Sequence, residues 1–116
     1  MKYRHYAPKG MLTLIDGGLA ETANYVNERA ENASIALLCY EDEVSYYEAN
    51  CPGVYLYKFG TKSNEASSAH ILFDILRNCD ERGFKEIYAP LPRREGIGLA
   101  LFNRMIRAAA YNIIKI

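Results

Sequence analysis

Ser34-Ile35-Ala36-Leu37-Leu38-Cys39 is the stretch that decides the fold. It is apolar without alternation, and a strand carries such a run where both of its faces are covered, as in a parallel sheet under helices. Parallel neighbours need a crossover, so helical segments are expected on both sides of it. Upstream, Leu19, Ala23, Val26 and Ala30 recur at helical spacing, with Glu21, Glu28 and Arg29 elsewhere on the wheel. Before them Met11-Leu12-Thr13-Leu14-Ile15 reads as a first strand, closed by the turn signal Asp16-Gly17-Gly18. Downstream, a short helix is expected over Glu43 to Asn50, stopped by Cys51-Pro52-Gly53.

Val54-Tyr55-Leu56-Tyr57-Lys58-Phe59 is aromatic and branched and ends at Gly60, which predicts a third strand. The longest helix should start near Ser63 or Asn64, either a suitable N-cap, with Glu65 favourable in the first turn. Its apolar stripe is Ala69, Leu72, Phe73, Leu76 and Cys79, and Gly83 ends it. Lys85 to Pro90 predicts a fourth strand. A last helix after Pro92 carries Leu99, Phe102, Met105, Ile106 and Ala109 on one face, and Asn112 to Ile116 reads as a closing edge strand. The expected fold is α/β, a small Rossmann-like doubly wound sheet of about five mainly parallel strands with helices on both faces. The expected strand order, by analogy with such sheets, is 3-2-1-4-5.

The 116 residues suit one domain. Half are hydrophobic and 24% charged, which is globular composition. Lys plus Arg and Asp plus Glu number 14 each, so the net charge is zero and a generally basic nucleic-acid binder is excluded, though a local patch is not. No apolar run nears the ~20 residues that span a bilayer, and Met1 to Tyr6 has no signal-peptide character. Cys39, Cys51 and Cys79 are an odd, widely spaced set without a C-x-x-C pair, so neither a disulfide framework nor a zinc site is indicated. A soluble protein of a reducing, cytoplasmic compartment is expected.

Several residues suggest chemistry. Gly96-Ile97-Gly98 stands before the last helix, where glycines let a phosphate approach backbone N–H groups, and Arg93 and Arg94 add charge. Arg93, Arg94, Gly96 and Gly98 are therefore a candidate anion site. The full dinucleotide fingerprint needs a glycine where Leu101 stands and belongs in the first strand-helix unit, so close helix–sheet packing is the favoured reading of these glycines. His70 shares a helical face with Asp74, Arg77 and Glu81, the pattern of a solvated stripe. Asp16 follows the first strand as a phosphoacceptor would, but the third strand ends in Lys58-Phe59-Gly60 without a carboxylate, so the receiver pattern fails. Tyr55 and Tyr57 read as sheet packing, and the acids between Glu21 and Glu48 as a solvated face.

The N-terminal stretch Lys2-Tyr3-Arg4-His5-Tyr6-Ala7-Pro8-Lys9 carries three fixed positive charges, two tyrosines and a histidine, and no acid. Pro8 and Gly10 disfavour helix, so an extended arm is expected. Cations and aromatic faces suit phosphate, adenine or single-stranded nucleic acid.

Met1 to Lys9 resembles the interdomain motif of two-domain threonylcarbamoyl-AMP synthases. Glu65-Ala66, Leu72-Phe73-Asp74-Ile75-Leu76-Arg77, Asp80, Gly96-Ile97-Gly98-Leu99-Ala100 and Asn103-Arg104 look like that family's C-terminal domain. Residues 11 to 62 match in segment pattern only. The resemblance implies residues 1–10 as the linker arm and 11–116 as a Rossmann-like accessory domain. The family makes threonylcarbamoyl-AMP from threonine, bicarbonate and ATP, for threonylcarbamoyladenosine in transfer RNA. Its chemistry lies in an N-terminal catalytic domain, the implied partner, so no catalytic residue is carried over to this chain.

By the same resemblance Tyr3, His5 and Tyr6 would face the catalytic pocket, with Lys2, Arg4 and Lys9 near its nucleotide. The parent enzyme, a nucleotidyltransferase, would use ATP with Mg2+. This chain would hold no metal or cofactor of its own, meeting ATP, ADP or AMP only at the domain interface. The alternative is a stand-alone nucleotide- or RNA-binding module. RNA held by the arm would be released steeply by salt.

Overall fold

The computed structural model describes residues 6–96 and 98–116. Strands and helices alternate through them: β1 (Met11–Asp16), α1 (Leu19–Ala30), β2 (Ile35–Cys39), α2 (Val44–Asn50), β3 (Tyr55–Lys58), α3 (Glu65–Arg82), β4 (Glu86–Pro90), α4 (Gly98–Ala108) and β5 (Ile113–Lys115). A single 3-10 turn at Glu41–Glu43 leads into α2. Every residue of β2 is buried, as its unbroken apolar run requires.

The five strands form one parallel sheet in the order β3-β2-β4-β1-β5. This corrects the expected order, in which β1 lay between β2 and β4. Here β4 lies between β2 and β1, with Ile87 opposite both Leu12 and Ala36. Both orders leave β3 and β5 at the edges and bury the other three strands. Burial read from sequence therefore does not separate them.

Alternate strand residues serve opposite layers. Leu12, Leu14, Ala36, Leu38, Ile87 and Ala89 join one core cluster with Leu72, Leu76, Leu101 and Met105 of α3 and α4. Ile15, Ile35, Leu37, Cys39 and Tyr88 join a second with Ala23, Val26 and Tyr47 of α1 and α2. The sheet is thus sandwiched between two helix pairs, and the crossovers change face between β3 and α3.

Helix α3 begins as its sequence dictates. The Asn64 side chain accepts from the Ser67 N–H at 3.4 Å. At the far end Gly83 takes the left-handed conformation (φ 78°). Its N–H donates to Asp80 O, and the Phe84 N–H donates to Cys79 O at 3.0 Å, a Schellman closure. The α4 stripe differs from expectation at one position: Leu99 is 43% exposed and Leu101 is 1% exposed. The helix opens at Gly98, so Gly98, Leu101, Met105 and Ala108 face the core and Leu99 falls a quarter-turn away. All three cysteines are free and buried, and burial pushes the Cys39 thiol up to about 12 and Cys79 to about 11, which keeps both unreactive. Among the described residues, no helix is long and apolar enough to cross a membrane.

Candidate functional site

The end of the N-terminal arm is tied to the outer side of α3. The Tyr6 hydroxyl donates to Asp80, and the Lys9 backbone N–H donates to the other oxygen of the same carboxylate at 2.7 Å. The Tyr6 ring meets Phe73 edge-on with centroids 6.4 Å apart, and the Arg77 guanidinium lies 5.8 Å from its centroid. Desolvation, helped by the bond to Asp80, pushes the Tyr6 phenol up to about 12, so it remains a donor near neutrality. Lys2, Tyr3, Arg4 and His5 lie outside the described residues.

A second feature lies at the other end of α3. The loops after β1, β2, β3 and β4 all emerge at the carboxyl edge of the sheet, and between them is a cavity of about 760 Å³. In open parallel sheets this is the edge at which ligands bind. Its walls are apolar at Ile15, Leu37, Leu38 and Leu91, and its polar groups include Asp16, Tyr40, Asp42, Glu43, Glu65 and Arg93. Asp80 and Glu65 are 15 positions apart on one helix, which puts the arm root about 22 Å from the cavity. These are two separate sites.

Of the candidate anion residues, Arg93 lines the cavity and donates from Nη2 to Glu65 Oε1 at 3.0 Å. The pair is asymmetric: the Glu65 side chain is 4% exposed and the Arg93 side chain 69%. Gly98 lies against the same carboxylate, since a Cβ there would stand 2.8 Å from both of its oxygens and 3.0 Å from Arg93 O. The glycine permits a close approach between the starts of α3 and α4. Arg94 points elsewhere, its guanidinium 4.8 Å from the Phe102 ring centroid, and Gly96 turns the loop with φ 63°. An anion approaching the start of α4 meets Glu65 first.

His70 is exposed with Asp74, Arg77 and Glu81, as its helical position predicts. Tyr57 donates to Asn78 Oδ1 at 2.7 Å, and Tyr55 and Tyr57 pack against Phe84, so both serve the sheet edge. Glu65 reads in sequence as a first-turn charge, and its burial was not legible there. Nor was Tyr40, although an aromatic residue directly after a fully buried strand is a signal for the sheet's carboxyl edge. Among the described residues no three His, Cys, Asp or Glu side chains gather as a metal ligand set.

A family model described as threonylcarbamoyl-AMP synthase, C-terminal domain, matches residues 1–110. The threonylcarbamoyl-AMP synthase of Bacillus subtilis (strain 168) is 29% identical over 116 residues, covering 99% of this chain and 32% of that protein. That of Pyrococcus abyssi is 30% identical over 125 residues, covering 100% of this chain and 33% of its own length. The chain thus spans about a third of the length of these curated relatives. The crystal structure of P. abyssi Sua5 complexed with L-threonine superposes with a TM-score of 0.71 at 27% identity, over 100% of this chain and 33% of that one. The C-terminal Sua5 domain from Pyrococcus horikoshii superposes with a TM-score of 0.64 at 20% identity, over 95% of this chain and 100% of that domain, and supports the fold. With the family model extending over residues 1–110, the chain belongs to the family of threonylcarbamoyl-AMP synthase C-terminal domains.

Proposed function

We propose that this chain is the accessory, regulatory C-terminal domain of a cytoplasmic L-threonylcarbamoyladenylate synthase, and that its arm gates the pocket of an N-terminal catalytic domain. Residues 1–10 are the linker arm and 11–116 the accessory domain. The enzyme as a whole would join threonine, bicarbonate and ATP, in the service of transfer RNA modification. The adenylation chemistry belongs to the catalytic domain.

The observation that carries the reading is the double engagement of Asp80 by Tyr6 and Lys9. An arm rooted at one carboxylate leaves the domain from a fixed place, which lowers the entropy lost when it closes over a neighbour. Lys2, Arg4 and Lys9 supply cations for a nucleoside triphosphate, and Tyr3 and His5 supply polar aromatic cover, while Tyr6 holds the root of the arm on α3. Such a strap excludes water while an adenylate forms.

To test this, the chain is added to the isolated catalytic domain of the Bacillus subtilis relative and threonine-dependent ATP turnover is measured. A saturable change in rate or in KM for ATP is expected. No change, while the same two parts joined covalently do respond, counts against gating.

The turn formed by Arg94 and Gly96 has a subordinate place in the proposal. Both residues are exposed in the loop before α4, and the Arg94 guanidinium, rather than the helix start that Glu65 covers, is the group that phosphates of a nucleotide at the domain interface would meet. Calorimetry of the chain with ATP, ADP and AMP tests that contact; silence removes it.

A further inference from the structure

The cavity at the carboxyl edge of the sheet is not explained by the arm, and its chemistry selects among ligands. Tyr40 is 3% exposed, packed against Phe59 at 5.8 Å between ring centroids. Its hydroxyl has no hydrogen-bond partner among the described residues, while no fully enclosed side-chain polar atom there is left unpaired. The hydroxyl oxygen therefore opens onto the cavity that the residue lines. Burial, then the nearby Glu65 and Glu43 carboxylates, push this phenol up to about 12, so it is neutral and can both donate and accept.

The charges around it are unequal. Asp16, Asp42, Glu43 and Glu65 face Lys62 and Arg93. Lys62 pairs with Glu43 at 3.6 Å and Arg93 with Glu65 at 3.0 Å, which leaves Asp16 and Asp42 without a cation among the described ion pairs. The helix starts that would attract an anion are covered by the chain's own carboxylates. Glu65 lies against Gly98 at the start of α4, and Glu21 Oε1 lies 2.6 Å from where a Cβ on Gly18 would stand, at the start of α1. A phosphate would be repelled from both. A divalent metal ion lacks its ligand set, since among the described residues no three acidic, His or Cys side chains converge.

We propose that this cavity binds a small organic molecule through a primary ammonium group, held by the Asp16 and Asp42 carboxylates and the Tyr40 hydroxyl oxygen. The ammonium donates its N–H groups to these three acceptors, and the molecule's carbon chain lies on Leu19 and Leu91, the lining leucines that are not fully buried. A cavity of about 760 Å³ is within the range that takes a metabolite-sized ligand. The proposal is independent of the gating role, because the arm root is at the other end of α3.

Two sources of this chemistry are separated by calorimetry of the 116-residue chain with putrescine, a diamine, and with L-alanine, a zwitterion. Inorganic phosphate and AMP serve as anionic competitors. Saturable binding of either amine supports the proposal, and which one binds names the source. Tyr40→Phe, which keeps the ring in place, should weaken that binding about tenfold. Asp16→Asn combined with Asp42→Asn should weaken it further. Glu81→Gln, which changes one exposed charge elsewhere on α3, should leave it unchanged. Silence of both amines up to about ten millimolar overturns the proposal. So does binding that the Tyr40 and Asp16/Asp42 variants leave intact, or displacement of the bound amine by phosphate or AMP.

Discussion

The Tyr6 hydroxyl donates to the Asp80 carboxylate, joining the end of the arm to a residue 74 positions later in the chain. Asp80 holds Lys9 as well, so one side chain fixes both the aromatic and the backbone part of the arm. Asp80→Ala should release the arm and cost about 1–2 kcal/mol, with Tyr6→Phe near the lower figure, because the bond is partly solvated. Urea denaturation gives the energies. Limited proteolysis checks the cause: cleavage within residues 6–10 should accelerate in both variants while the core stays resistant.

Gly98→Ala places a methyl 2.8 Å from the Glu65 carboxylate oxygens and 3.0 Å from Arg93 O. The start of α4 must then withdraw, at a cost of about 1–3 kcal/mol. Arg93→Ala keeps the packing and removes the cation from a buried carboxylate. It should lower the stability, and Glu65→Gln in the same protein should recover part of the loss. Thermal denaturation of the single and double variants measures this coupling.

Leu76 is fully buried where α3 meets the sheet. Leu76→Ala should cost about 2–5 kcal/mol through lost transfer energy and the hole left behind. Leu99→Ala, at an exposed position on α4, should stay within about 0.5 kcal/mol. The contrast, read from chemical denaturation, also checks the phase of α4 against the stripe expected from sequence.

Alkali should unfold the domain cooperatively. Desolvation raises the phenols of Tyr40 and Tyr47 to about 12, and those of Tyr57 and Tyr88 further; Cys39 is raised to about 12. Each group binds its proton more tightly in the folded chain than in the unfolded one. Their contribution to stability is complete below the unfolded values, near 9 for the thiols and 10 for the phenols, and falls as pH rises towards 12. Denaturation midpoints should hold steady up to about pH 9 and then fall steeply. Tyrosinate absorbance from these four phenols should appear together with unfolding. Full ionisation near pH 10 without unfolding would contradict the burial.

The strands and helices are legible in the sequence because each rests on local chemistry. The unbroken apolar run of β2 marks an interior strand, Asn64 caps α3, and Gly83 closes it. The order of the strands rests on which buried strand neighbours which, and β1, β2 and β4 each carry a buried centre. That order is set by packing across the sheet, where Ile87 fits between Leu12 and Ala36. The cavity was illegible for a related reason. Asp16, Tyr40, Asp42 and Glu65 come from four segments, and each alone reads as a turn acid, a strand end, a solvated charge or a helix-start charge. Only the parallel topology places their loops at one edge.

The gating role is tested most directly by steady-state kinetics of a two-domain protein in which this chain follows the catalytic domain of the Bacillus subtilis relative. The native arm is compared with one carrying Lys2→Ala, Arg4→Ala and Lys9→Ala; the Lys9 change spares the backbone bond to Asp80. Threonine-dependent ATP turnover is measured. The altered arm should raise the KM for ATP about tenfold or more and increase ATP hydrolysis without threonylcarbamoyl-AMP formation as water enters. Equal KM, kcat and product yield for the two arms would contradict it.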